Sequence, residues 1–168
     1  MTPPHAEFTD DHTPLAYFIT FRTYGSWLHG DVRGSVDRQH NVYGTPYLPP
    51  NKLREEYERC LLKQPPVRLR MKQRRKVEEA VYDTCKKRKW NLWVVNARTN
   101  HVHSVVTAGG DPEIVLNAFK ANATRMMREA GLWKSKYSPW VKRGSKIWLW
   151  TQQELMAAID YVLYDQGP

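Results

Sequence analysis

Between Leu15 and Thr23 the chain reads LAYFITFRT, an apolar, aromatic and β-branched run with partial alternation that predicts a first strand. Two further runs of this kind, Trp90 to Ala97 (WNLWVVNA) and His101 to Thr107 (HVHSVVT), are separated only by Arg98-Thr99-Asn100, which predicts an antiparallel hairpin. Lys146 to Trp150 (KIWLW) adds a short fourth strand. Elsewhere the period changes from two to 3.6. Asn51 caps a predicted helix running to about Lys63, with Glu55 and Glu56 in its early turns, Leu53, Tyr57, Cys60 and Leu61 as its apolar face, and Gln64-Pro65-Pro66 as its stop. A second helix, from about Arg70 to Lys89, is expected to bury Met71, Val77, Ala80, Val81 and Cys85. Asp111-Pro112-Glu113 supplies a cap and a first-turn proline to a third helix that reaches about Ala130, before Gly131. Thr151-Gln152-Gln153-Glu154 is a capping box and opens a last helix from Gln152 to about Tyr164.

The order is therefore β, helices, ββ, α, β, α, an α+β plan. Glycines 25, 30, 34 and 44 and prolines 46, 49 and 50 break up the stretch from Tyr24 to Pro50, and a loop of that length is usually functional or an insertion. The 168 residues are expected to form one domain, 1–168, with an irregular and helical insertion at about 24–66. A content of 41% hydrophobic and 12% aromatic residues excludes a disordered tail. No run approaches the roughly 20 apolar residues of a membrane helix, so no membrane partner is expected. Met1-Thr2-Pro3-Pro4-His5 lacks the basic start and apolar run of a signal peptide, which makes the cytoplasm the expected location. Cys60 and Cys85 stand apart without C-x-x-C spacing and read as reduced thiols, leaving zinc-finger schemes without ligands.

Charge narrows the partners. Lysines and arginines number 26 against 17 acidic residues, a net charge of +9. Much of the excess is clustered in Arg68, Arg70, Lys72, Arg74, Arg75 and Lys76, and again in Lys86, Lys87, Arg88 and Lys89. A stripe of that density fits a phosphate backbone through charge neutralisation and counterion release; the plainer alternative is a solvated helix face. A membrane surface fits less well, because the segment lacks a bulky apolar face.

The most pointed chemistry is Asn100-His101-Val102-His103. On a strand, residues i and i+2 share a face with Cα atoms roughly 6 to 7 Å apart, a spacing that lets two imidazoles converge on one divalent ion. On the last helix Leu155, Ile159, Val162 and Gln166 lie along one face and Tyr161 and Asp165 on another, about 6 Å apart along the axis. Taken alone, that pair is a half-buried tyrosine beside a solvated carboxylate. The segment from Tyr137 to Ser145 allows two readings: a stacking Trp140 with Lys142 and Arg143 on phosphates, or a surface loop with a buried tryptophan. Arg22, Lys120 and Arg125 are weaker candidates for DNA contact, Trp148 and Trp150 read as core, and His5, His12, His29 and His40 read as surface residues.

Taken together, Asn100-His101-Val102-His103 on a strand, a basic and aromatic segment, and a late helix carrying Glu154 to Tyr161 resemble the HUH single-tyrosine transposases. The nearest branch is the REP-associated tyrosine transposases, where Trp-x-x-Val, a short turn, Asn-His-Val-His and a terminal Tyr-Val/Ile helix recur in this order. The resemblance covers about Ala16 to Gly167 and is weakest over Tyr24 to Pro66. It implies a ferredoxin-like antiparallel sheet with helices packed on one face, His101 and His103 on a central strand, and Tyr161 on a helix beside it. It also implies a divalent ion, magnesium or manganese, held by His101, His103 and the position four residues after the tyrosine. Asp165 stands there, where the family has Gln or Asn, and a carboxylate is a good ligand for a hard cation. Asp165-Gln166-Gly167-Pro168 also departs from the Asn-Pro ending of the branch.

The expected function is a metal-dependent single-strand DNA endonuclease and strand transferase. Attack by Tyr161 leaves a 5′-phosphotyrosine and a free 3′ hydroxyl, and exchanging one phosphodiester for another needs no ATP. The expected partner is single-stranded or hairpin DNA, and a homodimer is among the assemblies the resemblance allows. Tyr164 is the second candidate nucleophile. The main rival is a catalytically inactive nucleic-acid-binding protein of the same fold. A non-haem iron facial triad is opposed by the basic stripe, and a two-histidine-motif phosphodiesterase by the lack of a second histidine pair.

Overall fold

Alternation along the first strand sorts its side chains to two faces, and the rest of the molecule is built on that division. The computed structural model describes residues 13–35 and 46–165. Its elements are β1 (Ala16–Thr23), α1 (Lys52–Cys60), α2 (Met71–Arg88), β2 (Asn91–Ala97), β3 (His101–Thr107), α3 (Pro112–Glu129), β4 (Trp140–Leu149) and α4 (Gln152–Tyr164). The strands form one antiparallel sheet in the order β2-β3-β1-β4. With α2 joining β1 to β2 and α3 joining β3 to β4, this is the split βαβ, ferredoxin-like arrangement.

Tyr17, Ile19 and Phe21 of β1, with Val102 and Val106 of β3, pack against Val77 and Val81 of α2 and against Val115, Leu116 and Phe119 of α3. The opposite set, Ala16, Val94, Val105 and Leu149, packs against Leu155, Ala158 and Val162 of α4. Helices therefore cover both faces, not one as expected. The physical reason is that α4 carries its own i, i+3, i+7 apolar stripe and leaves the edge strand β4 directly, so burying that stripe means folding over the face α2 and α3 leave open. The predicted caps form: Asn51 accepts from the Arg54 N–H, Asp111 from Glu113, and Thr151 from Glu154. Glu154 in turn accepts from the N–H groups of Trp150 and Thr151.

Strand β4 begins at Trp140, well before the predicted Lys146. Its ladder with β1 is irregular, passing from Phe21 opposite Gly144 to Thr23 opposite Trp140. Lys120 reaches into this irregularity from α3 and donates to the carbonyls of Val141, Lys142 and Arg143 at 2.9, 3.3 and 3.1 Å. Beside it the strand passes so close to β1 that a Cβ on Gly144 would lie 2.6 Å from the Thr20 carbonyl oxygen and 2.9 Å from Leu116 Cδ1. Only glycine fits there without displacing backbone.

Three expectations about burial fail. The apolar face of α1 stays outside the core, with Leu53, Tyr57 and Leu61 exposed and no buried residue in the helix. Met71, at the first turn of α2, is also exposed. Trp148 and Trp150 lie in the open because β4 is an edge strand; Trp148 meets Tyr17 edge-on at 6.4 Å and is 46% exposed. Cys85 is buried and Cys60 exposed, and neither forms a disulfide. Among the described residues no helix is long and apolar enough to cross a membrane.

Candidate active site

Helix α4 covers only part of its face of the sheet. Beyond it, the start of β3 brings His101 and His103 to the surface of the sheet interior, because β3 lies between β1 and β2. In the ladders His103 stands opposite Thr20 on one side and Asn96 on the other, and His101 stands opposite Arg22. The two imidazoles are 4.7 Å apart between ring centroids. His103 is 9% exposed, and its Nδ1 lies 2.7 Å from Thr20 Oγ1. His101 Nδ1 lies 2.6 Å from Asn100 Oδ1.

Tyr161 comes to the histidines because its neighbour Val162 is buried under α4 while Tyr161 sits at the helix margin, 41% exposed. Its ring centroid is 5.6 Å from His103 and 5.9 Å from Phe18, and Phe18 in turn is 5.4 Å from His103. Asn96 donates from Nδ2 to the Val162 carbonyl at 3.1 Å, tying the end of α4 to β2. The tyrosine is thus placed by a buried stripe, two ring contacts and a hydrogen bond to its own turn.

Arg22 lies next to this group. Its guanidinium stacks on Trp27 at 3.6 Å, and Arg33 stacks on the same ring at 4.3 Å. Trp27 is fixed by donating to the Gly34 carbonyl, and Arg33 by two bonds to the Asp31 carboxylate. The Arg33 hydrogen bonds hold Asp31 down at about 2. Burial lowers the Arg22 pKa, with Arg33 adding to the effect, so the cation is partly desolvated. Burial, then His101 and Arg22, push His103 down to about 4, which makes its ring neutral at neutral pH.

A neutral imidazole is the metal-binding form, and an oxygen acceptor on Nδ1 puts the ring proton there and the lone pair on Nε2. Asn100 Oδ1 supplies that acceptor to His101, whereas the Thr20 hydroxyl beside His103 Nδ1 can accept or donate. The pair therefore fits a divalent ion as two nitrogen donors. Among the described residues no third His, Cys, Asp or Glu side chain is gathered with them to hold one ion. Asp165 caps α4, exposed, with its N–H bonded to the Tyr161 carbonyl.

The DNA-contact candidates divide. Arg22 joins the histidines, whereas Lys142 and Arg143 are exposed at the irregular start of β4. Trp140 is corrected to a core residue: it is 4% exposed, packs edge-on against Phe21 at 4.9 Å, and donates to the Lys120 carbonyl and Thr124 Oγ1. Lys120 is corrected likewise, since it is 8% exposed with its ammonium bonded to three carbonyls. Arg125 lies on α3, paired with Glu129 at 2.6 Å. Tyr164 is exposed, and His29 is half-buried against Ser35. His5, His12, His40 and Gln166 lie outside the described residues.

Sequence reasoning missed Phe18, Thr20, Trp27, Arg33 and Asn96. Thr20 was within reach, because it sits two residues from Arg22 on a strand and shares its face. Trp27 and Arg33 come from an irregular segment with no periodicity to read.

No family model matches the chain, and no curated relative matches it. Among solved structures, one described as "Structure of the REP associates tyrosine transposase bound to a REP hairpin" aligns over 98% of this chain and 72% of that one, at 12% identity and a TM-score of 0.48. A likeness that loose transfers no role to any residue.

Proposed function

We propose that the chain is a metal-dependent endonuclease and strand transferase for single-stranded or hairpin DNA, with Tyr161 as nucleophile. The observation that carries the reading is the placement of the Tyr161 ring 5.6 Å from the neutral, buried His103, whose ring is in turn 4.7 Å from His101. The motif resemblance and the net charge of +9 support the same substrate.

In this reading the phenol oxygen of Tyr161 attacks a backbone phosphorus, forming an O–P bond while the P–O3′ bond breaks. The phenol proton is lost and the departing 3′ oxygen gains one. One phosphodiester replaces another, so the reverse attack by a 3′ hydroxyl rejoins a strand and frees the tyrosine. Arg22, opposite His101 and partly desolvated, is the cation that holds the phosphate, with its guanidinium stacked on Trp27. Thr20 and Asn100 orient the imidazoles. His101 and His103 would hold a magnesium or manganese ion, which when bound would supply polarisation of the phosphate. Asp165, on the turn after Tyr161, is the side chain proposed to join them.

The test incubates the protein and Tyr161→Phe with single-stranded oligonucleotides from its own flanking DNA plus magnesium or manganese, then seeks denaturant-resistant protein–DNA adducts. An adduct in the wild type alone is expected. Adducts in both proteins would move the nucleophile, with Tyr164 next. Binding without adducts in either would favour the second reading, an inactive nucleic-acid binder, which the separation of Asp165 from the histidine pair favours.

A further inference from the structure

Beside Trp27, the ring that carries Arg22, lies a cavity of about 520 Å³ that the proposed chemistry does not use. Its walls are Tyr24, Trp27, Leu28, Leu62 and Tyr137, with Lys63 and Lys142 also in its lining and no acidic side chain among its lining residues. We propose that this cavity holds one unpaired nucleobase of the DNA strand whose phosphate sits at Arg22; the inference rests on the function proposed above and names a base-binding pocket for it.

Four observations carry it. The volume falls within the roughly 300 to 1,000 Å³ of small-ligand sites and is too small to admit a duplex. The lining offers the rings of Tyr24 and Tyr137, and an aromatic ring stacks on any base. Its charged side chains are all cations, which suits the phosphates flanking a base that has left its stack. Finally, Trp27 belongs to the cavity and also carries the Arg22 guanidinium at 3.6 Å, so a single ring separates the cavity from the phosphate-holding cation.

Hydrogen bonds tie the walls of the cavity to one another. Tyr24 accepts at its hydroxyl from the Lys63 N–H, Gln64 donates to the Ser138 carbonyl and accepts from Ser135, and Lys120 holds the carbonyls behind Lys142. A base entering it meets walls already in place, so little ordering opposes binding.

The test uses full-length protein without metal and single-stranded oligonucleotides carrying 5-iododeoxyuridine at successive positions. Irradiation couples that base to a stacked aromatic ring, and peptide mapping locates the bond. Coupling at Trp27, Tyr24 or Tyr137, from one position of the strand, is expected. In Tyr137→Leu, affinity should fall about tenfold, the scale of one lost base–ring stack, with thermal unfolding unchanged. Coupling confined to the exposed Trp93, Trp148 or Trp150, or unchanged affinity in Tyr137→Leu, would overturn the pocket. Tyr161 adducts formed with metal alongside such misplaced coupling would remove the pocket and leave the strand-transfer function. Coupling in the cavity without adducts would do the reverse, and an absence of DNA binding at low salt would remove both.

Discussion

The two faces of the sheet are made from the same strands and end differently. On one, Tyr17, Ile19, Phe21, Val102 and Val106 meet two long helices, and the side chains between them are fully or nearly fully buried. On the other, one shorter helix covers Ala16, Val94, Val105 and Leu149 and stops, leaving His101, Thr20 and Arg22 half-buried at its border and His103 just beneath it. The difference shows how a small domain keeps polar groups close to its core. The closed face supplies the rigidity, so the partly open face can hold desolvated imidazoles and a cation that would be costly in a packed interior.

The comparison breaks first at Phe119, which is 0% exposed between α3 and the sheet. Phe119→Ala is expected to cost about 3–5 kcal/mol in denaturant unfolding, and a loss under about 1 kcal/mol would mean the closed face is not the structural one. On the open face His101→Ala should reverse that balance. Metal-dependent cleavage should fall at least 100-fold, about 2.7 kcal/mol, while unfolding changes by less than about 1 kcal/mol. Equal loss of metal-free DNA binding would contradict the role assigned to the histidine.

Lys120 sharpens the same contrast, because it is a cation on the closed side. Lys120→Met should lower stability by about 2 kcal/mol, since three carbonyls lose their donor, and weaken DNA binding less than that, through the cavity wall those carbonyls belong to. A larger effect on affinity than on unfolding would restore it as a phosphate contact. The smallest effect concerns pH. The Asp31 carboxyl is held at about 2 by Arg33, below its ordinary 3.8. The unfolded chain therefore takes up this proton first, so the contribution is present above about 3.8 and is lost as pH falls toward about 2. Asp31→Asn should flatten that acid limb by about 1 kcal/mol, measured by thermal unfolding across that range.

What was legible in the sequence followed local rules. The hairpin, the capping box at Thr151, the proline-started helix at Pro112 and the inward set Val77, Ala80, Val81 and Cys85 all depend on neighbours within a few residues, and all appear in the structure. Pattern misled where burial depended on what lay opposite. The stripe of α1 has the helical spacing of a core face and meets no core. Trp148 and Trp150 look like core and occupy an edge, whereas Trp140 looks like a loop residue and fills the interior. Periodicity states which residues share a face, and it does not state whether another element covers that face.

The sequence by itself determined the strand and helix order, the caps, the basic surplus and the adjacency of His101 and His103, because each is a property of local spacing or of composition. Only the tertiary structure decided that Thr20 and Asn100 orient those rings, that Tyr161 comes within contact distance of His103, that Arg22 rests on Trp27, and that Lys120 serves the backbone of β4. Apart from Asn100 beside His101 and Trp27 five residues after Arg22, these are meetings between segments far apart in the chain. Their geometry is fixed by ladder register and by which face a helix covers, and neither quantity is encoded in any short window of residues.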